Sequence, residues 1–280
     1  MRRSDCRAFT LVELLAVTAV IGVLLAFLLP AVLTALESAR QINCGSNLRQ
    51  LALALQSYEG SHGLLPPGRD GRHTHNHSWA TAVLPHLELQ NVFDRYDWNK
   101  AWNDPSPGPD GSSNLEIAET PLAIFRCSSA GSTFPGATDY GGNYGSSLSG
   151  LPKGFAAGRA WSSGVMIPLS VAAFARPMDY LISFSHISDG TGQTFMLLED
   201  AGRGPQVGGH WANGHQCLAH EYPSVNVSHY NGIFSHHPQG ANVAAADAAV
   251  HFLPMITDGY LIGALSTRAN GEIGMIEDPG

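Results

Sequence analysis

The chain has little charge: Asp, Glu, Lys and Arg make up 14% of its 280 residues, with 23 acids against 15 bases. A polyanion-binding surface needs Lys and Arg to neutralise phosphates, and no basic run here is longer than Arg2-Arg3. Nucleic acid is therefore excluded as a partner. Cysteine is scarce as well, with residues at 6, 44, 127 and 217 and no C-x-x-C pair, which argues against a zinc ribbon or a thioredoxin-like site. The sequence also lacks G-x-S-x-G, the P-loop lysine pattern and H-E-x-x-H; His220-Glu221 is followed by Tyr222-Pro223-Ser224. No catalytic residue is assigned, no cofactor is implied, and the chain reads as a non-enzyme. What is present is apolar: 44% of residues are hydrophobic and 9% aromatic, enough to bury a core. The 31 Gly and 17 Pro lie mostly beyond residue 60 and point to a loop-rich body of short elements.

The apolar residues are unevenly spread. No side chain between Glu13 and Glu37 is charged, and residues 14–36 read LLAVTAVIGVLLAFLLPAVLTAL. About 20 such residues cross a bilayer core at 1.5 Å rise each. A secretory signal would have a shorter apolar region and a small-x-small cleavage site, which this run does not offer. A buried core helix would not be apolar all round. The reading is a single spanning helix. Arg2, Arg3 and Arg7 precede it, so the positive-inside rule leaves the N-terminus in the cytoplasm and the rest of the chain outside, with the cell surface as a further destination open to it. Glu13, at the edge of this run, is costly if drawn into hydrocarbon. It either snorkels at the interface or pairs with a cation.

The block Arg7-Ala8-Phe9-Thr10-Leu11-Val12-Glu13, followed by Pro30, resembles the class III signal of type IV prepilins and type II secretion pseudopilins. The resemblance implies cleavage between Ala8 and Phe9 by prepilin peptidase, methylation of the new amino terminus, and Glu13 as the fifth mature residue. It further implies that Glu13 of one subunit pairs with the Phe9 ammonium of a neighbour in a homo- or hetero-oligomeric pilus or pseudopilus. Two buried charges that cancel are tolerable where either alone is not. Pro30, at mature position 22, matches a proline that pilins carry there, and it removes a backbone donor from the helix. Ala8 stands where the family usually has Gly, which implies slower processing.

After residue 36 the sequence turns polar. Leu48, Leu51, Leu55 and Tyr58 recur at spacings of three and four, predicting an amphipathic helix with Ser46 or Asn47 near its cap and Gly60 or Gly63 at its end. Beyond it, residues 103–113 and 141–154 read as loops, and residues 80–89 with 90–96 as helix interrupted in part at Pro85. Strands are expected at 123–127, 192–198, 242–246 and 250–253, the last two forming a hairpin about Asp247-Ala248-Ala249. The fold class is α+β: a long N-terminal helix, half membrane-spanning and half amphipathic, on a loop-rich, mainly antiparallel head. The expected divisions are leader 1–8, transmembrane and assembly helix 9–36, outward helix 37–62 and exported head 63–280.

Several blocks resemble the prepilin-like family known as domain of unknown function 1559. They are the stretch from Cys44 to Leu51, Phe125-Arg126-Cys127-Ser128, Asp189-Gly190-Thr191-Gly192-Gln193-Thr194 and the closing stretch from Ser235 to Phe252. The closing motif of that family is His, nine residues, Asp-Gly; here it falls on His237 and Asp247, with Ala248 in place of the Gly. The resemblance implies architecture more than activity. His237 and Asp247 are expected to form a hydrogen-bonded pair bracing the hairpin, the sharper alternative being a metal or catalytic pair.

In an oxidising exterior Cys44 and Cys127 are the candidate disulfide, which would leave Cys217 free. The histidines at 73, 75 and 77 are expected in an exposed loop. His210, His215 and His220 form a dense region with His229, His236 and His237, and they are the candidates should the head bind a metal, although no metal is assigned. The leading reading is a pilin- or pseudopilin-like structural subunit of the cytoplasmic membrane. The alternatives are a membrane-tethered metal-binding protein or hydrolase using residues 210–237, and a surface recognition module.

Overall fold

The structure is a computed structural model that describes residues 11–71, 75–132, 134–146, 162–170 and 182–269. By chain contacts it separates into two units, Met1–Arg40 and Gln41–Gly280. One helix, α1 (Leu11–His62), contributes to both. In the first unit every residue from 11 to 36 is exposed. Pro30 lies inside the helix, and the hydroxyl of Thr34 donates to the Pro30 carbonyl at 3.0 Å, as Thr18 does to Leu15. These bonds satisfy both hydroxyls within the helix, as a hydrocarbon environment requires. A helix break at Gly45 was expected from the caps at Ser46 and Asn47, and it is absent. Gly45 stays helical where α1 packs against Val250 and Asn242, and an added Cβ would meet their side chains at 3.5–3.6 Å, an ordinary contact distance. α1 ends at Gly63, whose φ of 77° suits glycine and whose N–H donates to the Glu59 carbonyl at 2.7 Å.

In the second unit, β1 (Arg69–Gly71) and β2 (His77–Ser78) lead into α2 (Trp79–Val83), capped by the Ser78 hydroxyl. A 3₁₀ turn over Leu84–Leu87 follows at Pro85, then α3 (Gln90–Phe93), so the expected helices are shorter than the apolar pattern implied. Residues 103–113 are irregular, and α4 (Asn114–Ala118) opens on a capping box between Ser113 and Glu116. Residues 123–127, expected as a strand, instead hold a 3₁₀ turn (Ala123–Phe125), which turns the chain so that Cys127 N–H donates to Asp139. Residues 141–146, expected as loop, belong to β3 (Tyr140–Ser146); 147–154 lie outside the described residues. Glycine carries no strand signal, yet here it allows close packing. A Cβ on Gly142 would come within 3.0 Å of Met166 and 3.2 Å of Trp79.

The remaining strands are β4 (Ser162–Ser163), β5 (Pro168–Ser170), β6 (Phe195–Glu199), β7 (Cys217–His220), β8 (Gly240–Ala245) and β9 (Val250–Pro254), followed by α5 (Gly259–Leu265). Six of the nine form the main sheet in the order β4-β3-β6-β8-β9, with β7 pairing β3 in parallel; β2-β1-β5 form the smaller one. The expected hairpin is present, with β8 and β9 in antiparallel register from Gly240↔Pro254 to Ala244↔Val250. One face of the main sheet packs Met196, Leu197, Ala244 and Ala246 with Leu48, Leu51 and Leu55 of α1 and with Trp79, Phe125 and Trp211. The other packs Phe195, Leu198, Leu218, Val243 and Leu253 with Ile262 and Leu265 of α5. The architecture is α+β, with the C-terminal part of the pilin-like helix inside the core of the head.

Candidate functional site

Two regions carry the residues singled out in the sequence. The first is the exposed apolar stretch of α1. Among the described residues it holds the one helical segment long and apolar enough to cross a membrane. Glu13 lies in its first turn, where a carboxylate suits the positive end of the helix dipole. Ala8 and Phe9 lie outside the described residues.

The second region is where α1 meets the sheet. Cys44 on α1 and Cys127 after the 3₁₀ turn are joined by a disulfide, with 4.9 Å between their Cα atoms and 83 residues of sequence separation. Tyr140 Oη donates to the Cys44 carbonyl at 3.2 Å, and Asn47 Nδ2 donates to the Arg126 carbonyl at 2.9 Å. The two segments that carry the sulfurs are thus aligned by hydrogen bonds as well. His237 Nε2 lies 3.5 Å from Cys127 Sγ and 3.5 Å from Glu199 Oε1. Glu199, fully buried at the end of β6, accepts from Asn242 N–H at 2.8 Å and from Asn242 Nδ2 at 2.9 Å.

This arrangement corrects the expected His237–Asp247 brace. His237 precedes β8 and Asp247 follows it. Six extended residues separate their positions by about 20 Å. Asp247 is exposed in the hairpin turn, where its carboxylate accepts from Ala249 N–H at 2.8 Å. Ala248 adopts φ 68°, the left-handed conformation that a glycine would take without penalty.

The histidine-rich stretch does not converge. His210 is wedged between the Trp102 and Phe134 rings, with centroids 5.2 and 4.9 Å away, and burial lowers its pKa. His215 is exposed, and its carbonyl accepts from Arg203. His220 is buried on β7, where its Nδ1 accepts from Ile233 N–H at 3.2 Å and desolvation pushes its pKa down to about 4. Of the expected exposed loop, His73 lies outside the described residues, and His77 is buried instead. His77 Nδ1 meets Tyr96 Oη at 2.8 Å and its Nε2 donates to the Trp98 carbonyl, because aromatic rings from the α3 region close over β2.

Glu199 and Asn242 were not singled out in the sequence. The usable signal was an acidic pair, Glu199-Asp200, at the end of the wholly apolar run Phe195 to Leu198, where both carboxylates are buried with the strand.

Helix, motif and head together define a prepilin-like protein. More particularly, the chain belongs to the family described as "Protein of unknown function (DUF1559)", which matches residues 34–224. Residues 3–29 match the "Prokaryotic N-terminal methylation motif". No curated protein and no solved structure matches the chain.

Proposed function

We propose that this protein is a pilin- or pseudopilin-like structural subunit that prepilin peptidase cuts between Ala8 and Phe9. Residues 9–36 then hold it in the cytoplasmic membrane, with the N-terminus inside and the head outside. Residues 37–62 carry the helix into the head, and the remainder to residue 280 supplies the exported surface. The observation that carries this reading is the match of residues 3–29 to the methylation motif, together with Glu13 in the first turn of a helix that is exposed throughout residues 11–36. A membrane anchor alone explains the apolar residues. It does not explain a carboxylate at the fifth position after the expected cut.

In a filament Glu13 would pair with the methylated ammonium of the neighbouring subunit, which sets the axial register and neutralises two charges in hydrocarbon. Mass spectrometry of the membrane-extracted protein should find Phe9 as the methylated first residue. An intact residue 1, or a cut near residue 40, would remove the proposal. Glu13→Ala should insert normally yet fail to assemble into sheared surface filaments or a crosslinkable pseudopilus. Unchanged assembly of that variant would strip Glu13 of its role.

A further inference from the structure

Cys44, Cys127, Glu199 and His237 form, among the described residues, the one group whose Cys, His and carboxylate ligand atoms all lie within 4.8 Å of one another, and all four residues are buried. We propose that in its dithiol state this cluster is a tetrahedral Cys₂-His-Glu site for a zinc-class divalent cation.

The donor set argues for that class of metal. Two sulfurs, one imidazole nitrogen and one carboxylate oxygen suit zinc, whereas Mg²⁺ and Ca²⁺ take oxygen shells. With metal bonds of about 2.0–2.3 Å, the edges of a tetrahedral site run about 3.3–3.8 Å. The His237–Glu199 and His237–Cys127 edges, both 3.5 Å, already have that length. The two sulfurs must part by rotation of short side chains, and the remaining ligand atoms, all within 4.8 Å of one another, close on the ion. Ser128, an exposed residue whose hydroxyl lies 3.8 Å from Cys44 Sγ, is the neighbour of the cluster nearest to solvent on that side.

The surroundings match as well. Burying a carboxylate and an imidazole is costly, and in the disulfide state they face each other at 3.5 Å. A dication uses both. The Asn242 N–H donors fix the Glu199 carboxylate as outer partners fix metal ligands elsewhere. Cysteines enter a new chain as thiols, so the dithiol state precedes the disulfide. From the disulfide, the balance is explicit. A phosphine or dithiol reductant supplies two electrons that break the S–S bond, and each sulfur takes up a proton. Metal binding then releases both thiol protons to solvent.

The test uses the full chain in detergent with Cys6→Ser and Cys217→Ser, so that only Cys44 and Cys127 report. After reduction by a phosphine and anaerobic desalting, Co²⁺ is titrated and then displaced by Zn²⁺. The expected result is one Co²⁺ per chain, with thiolate charge-transfer and tetrahedral ligand-field bands that are absent from the disulfide form. Loss of an outer partner typically weakens metal affinity about 10–100-fold. His237→Ala and Glu199→Gln should each exceed the lower end of that range while leaving both thiols in place. A folded, reduced protein that takes up no cobalt overturns the proposal. So does cobalt uptake that persists unchanged in both variants or in the disulfide form. If reduction unfolds the chain, Zn²⁺ must restore its circular dichroism and melting transition, because a structural metal couples to folding; failure to do so also overturns it.

Discussion

Asn143 shows how one side chain can hold several elements. It is fully buried at the irregularity in β3, where Nδ2 donates to the Phe195 carbonyl at 2.7 Å and to the Ser266 carbonyl at 2.9 Å, and Oδ1 accepts from Gly145 N–H at 2.9 Å. It thereby ties β3 to β6 and to the end of α5. Asn143→Ala leaves two carbonyls and an amide buried without these partners, which should cost about 3 kcal/mol or more. Urea unfolding followed by tryptophan fluorescence measures this, and a loss below about 1 kcal/mol would contradict the assignment.

His220 gives the acid response a sign. Burial lowers its pKa from 6.5 to about 4. Between those values the unfolded chain takes up a proton that the folded chain refuses. Its contribution to stability is therefore full above pH 6.5, falls as the pH drops toward 4 and levels off below that. The slope is about 1.4 kcal/mol per pH unit, so about 2 kcal/mol should be lost from pH 6.5 to 5. Desolvation shifts His77 and His210 in the same direction. Melting curves across this range should show the decline, and His220→Gln should flatten it. Both residues illustrate what composition hides. Thirteen histidines and a Gly-Gly-Asn-Tyr-Gly stretch read as polar surface, yet Asn143 is held by partners 52 and 123 residues away and His220 by Ile233, 13 residues away.

At the scale of elements, the β8–β9 hairpin turns on an alanine. Ala248 at φ 68° carries a left-handed penalty of about 1–2 kcal/mol. It is also buried, so its methyl contributes about 0.8 kcal/mol, and glycine would add unfolded-chain entropy of about 0.4–1 kcal/mol. These terms nearly cancel. Ala248→Gly should be within about 0.5 kcal/mol of neutral, and Ala248→Val, which can neither fit nor adopt this φ easily, should cost at least about 2 kcal/mol. Comparing the denaturation midpoints of the two variants checks both statements.

The hairpin was legible because two apolar runs flank a turn triplet, and the Leu48–Leu51–Leu55 stripe was legible because its period survives packing. α1 itself was misjudged at Gly45. Glycine normally signals an end, but packing of this stretch of α1 against β8 and β9 holds the helix through it. The 3₁₀ turn at 123–125 read as a strand because a short apolar run is the same in either conformation. Glu199 and Asn242 were invisible for a related reason: strand alternation shows which face a residue takes, not which distant side chain waits on it.

For the whole molecule, the net charge of -8 averages unlike parts. Removal of the proposed leader would leave 12 bases and 22 acids, a more acidic exported body. The Cys44–Cys127 bond matters at this scale because it spans 83 residues, a closure worth about 4.5 kcal/mol on a chain-entropy argument. Reduction with a phosphine in the presence of chelator should therefore lower the melting temperature by about 10–15 °C. An unchanged transition in a chain with demonstrably free thiols would show that hydrogen bonds and packing alone hold the junction.

The same bond has a mechanical side. Tension arriving along α1 from residue 40 reaches Cys44 and can cross directly to Cys127, so the intervening loop lies outside the load path. Stretched out, those 83 residues would add about 280 Å of slack. With the bond closed, β1, β2 and α2 to α4 can be sheared from the sheet but cannot be paid out, and the head resists elongation as a stapled rope resists fraying.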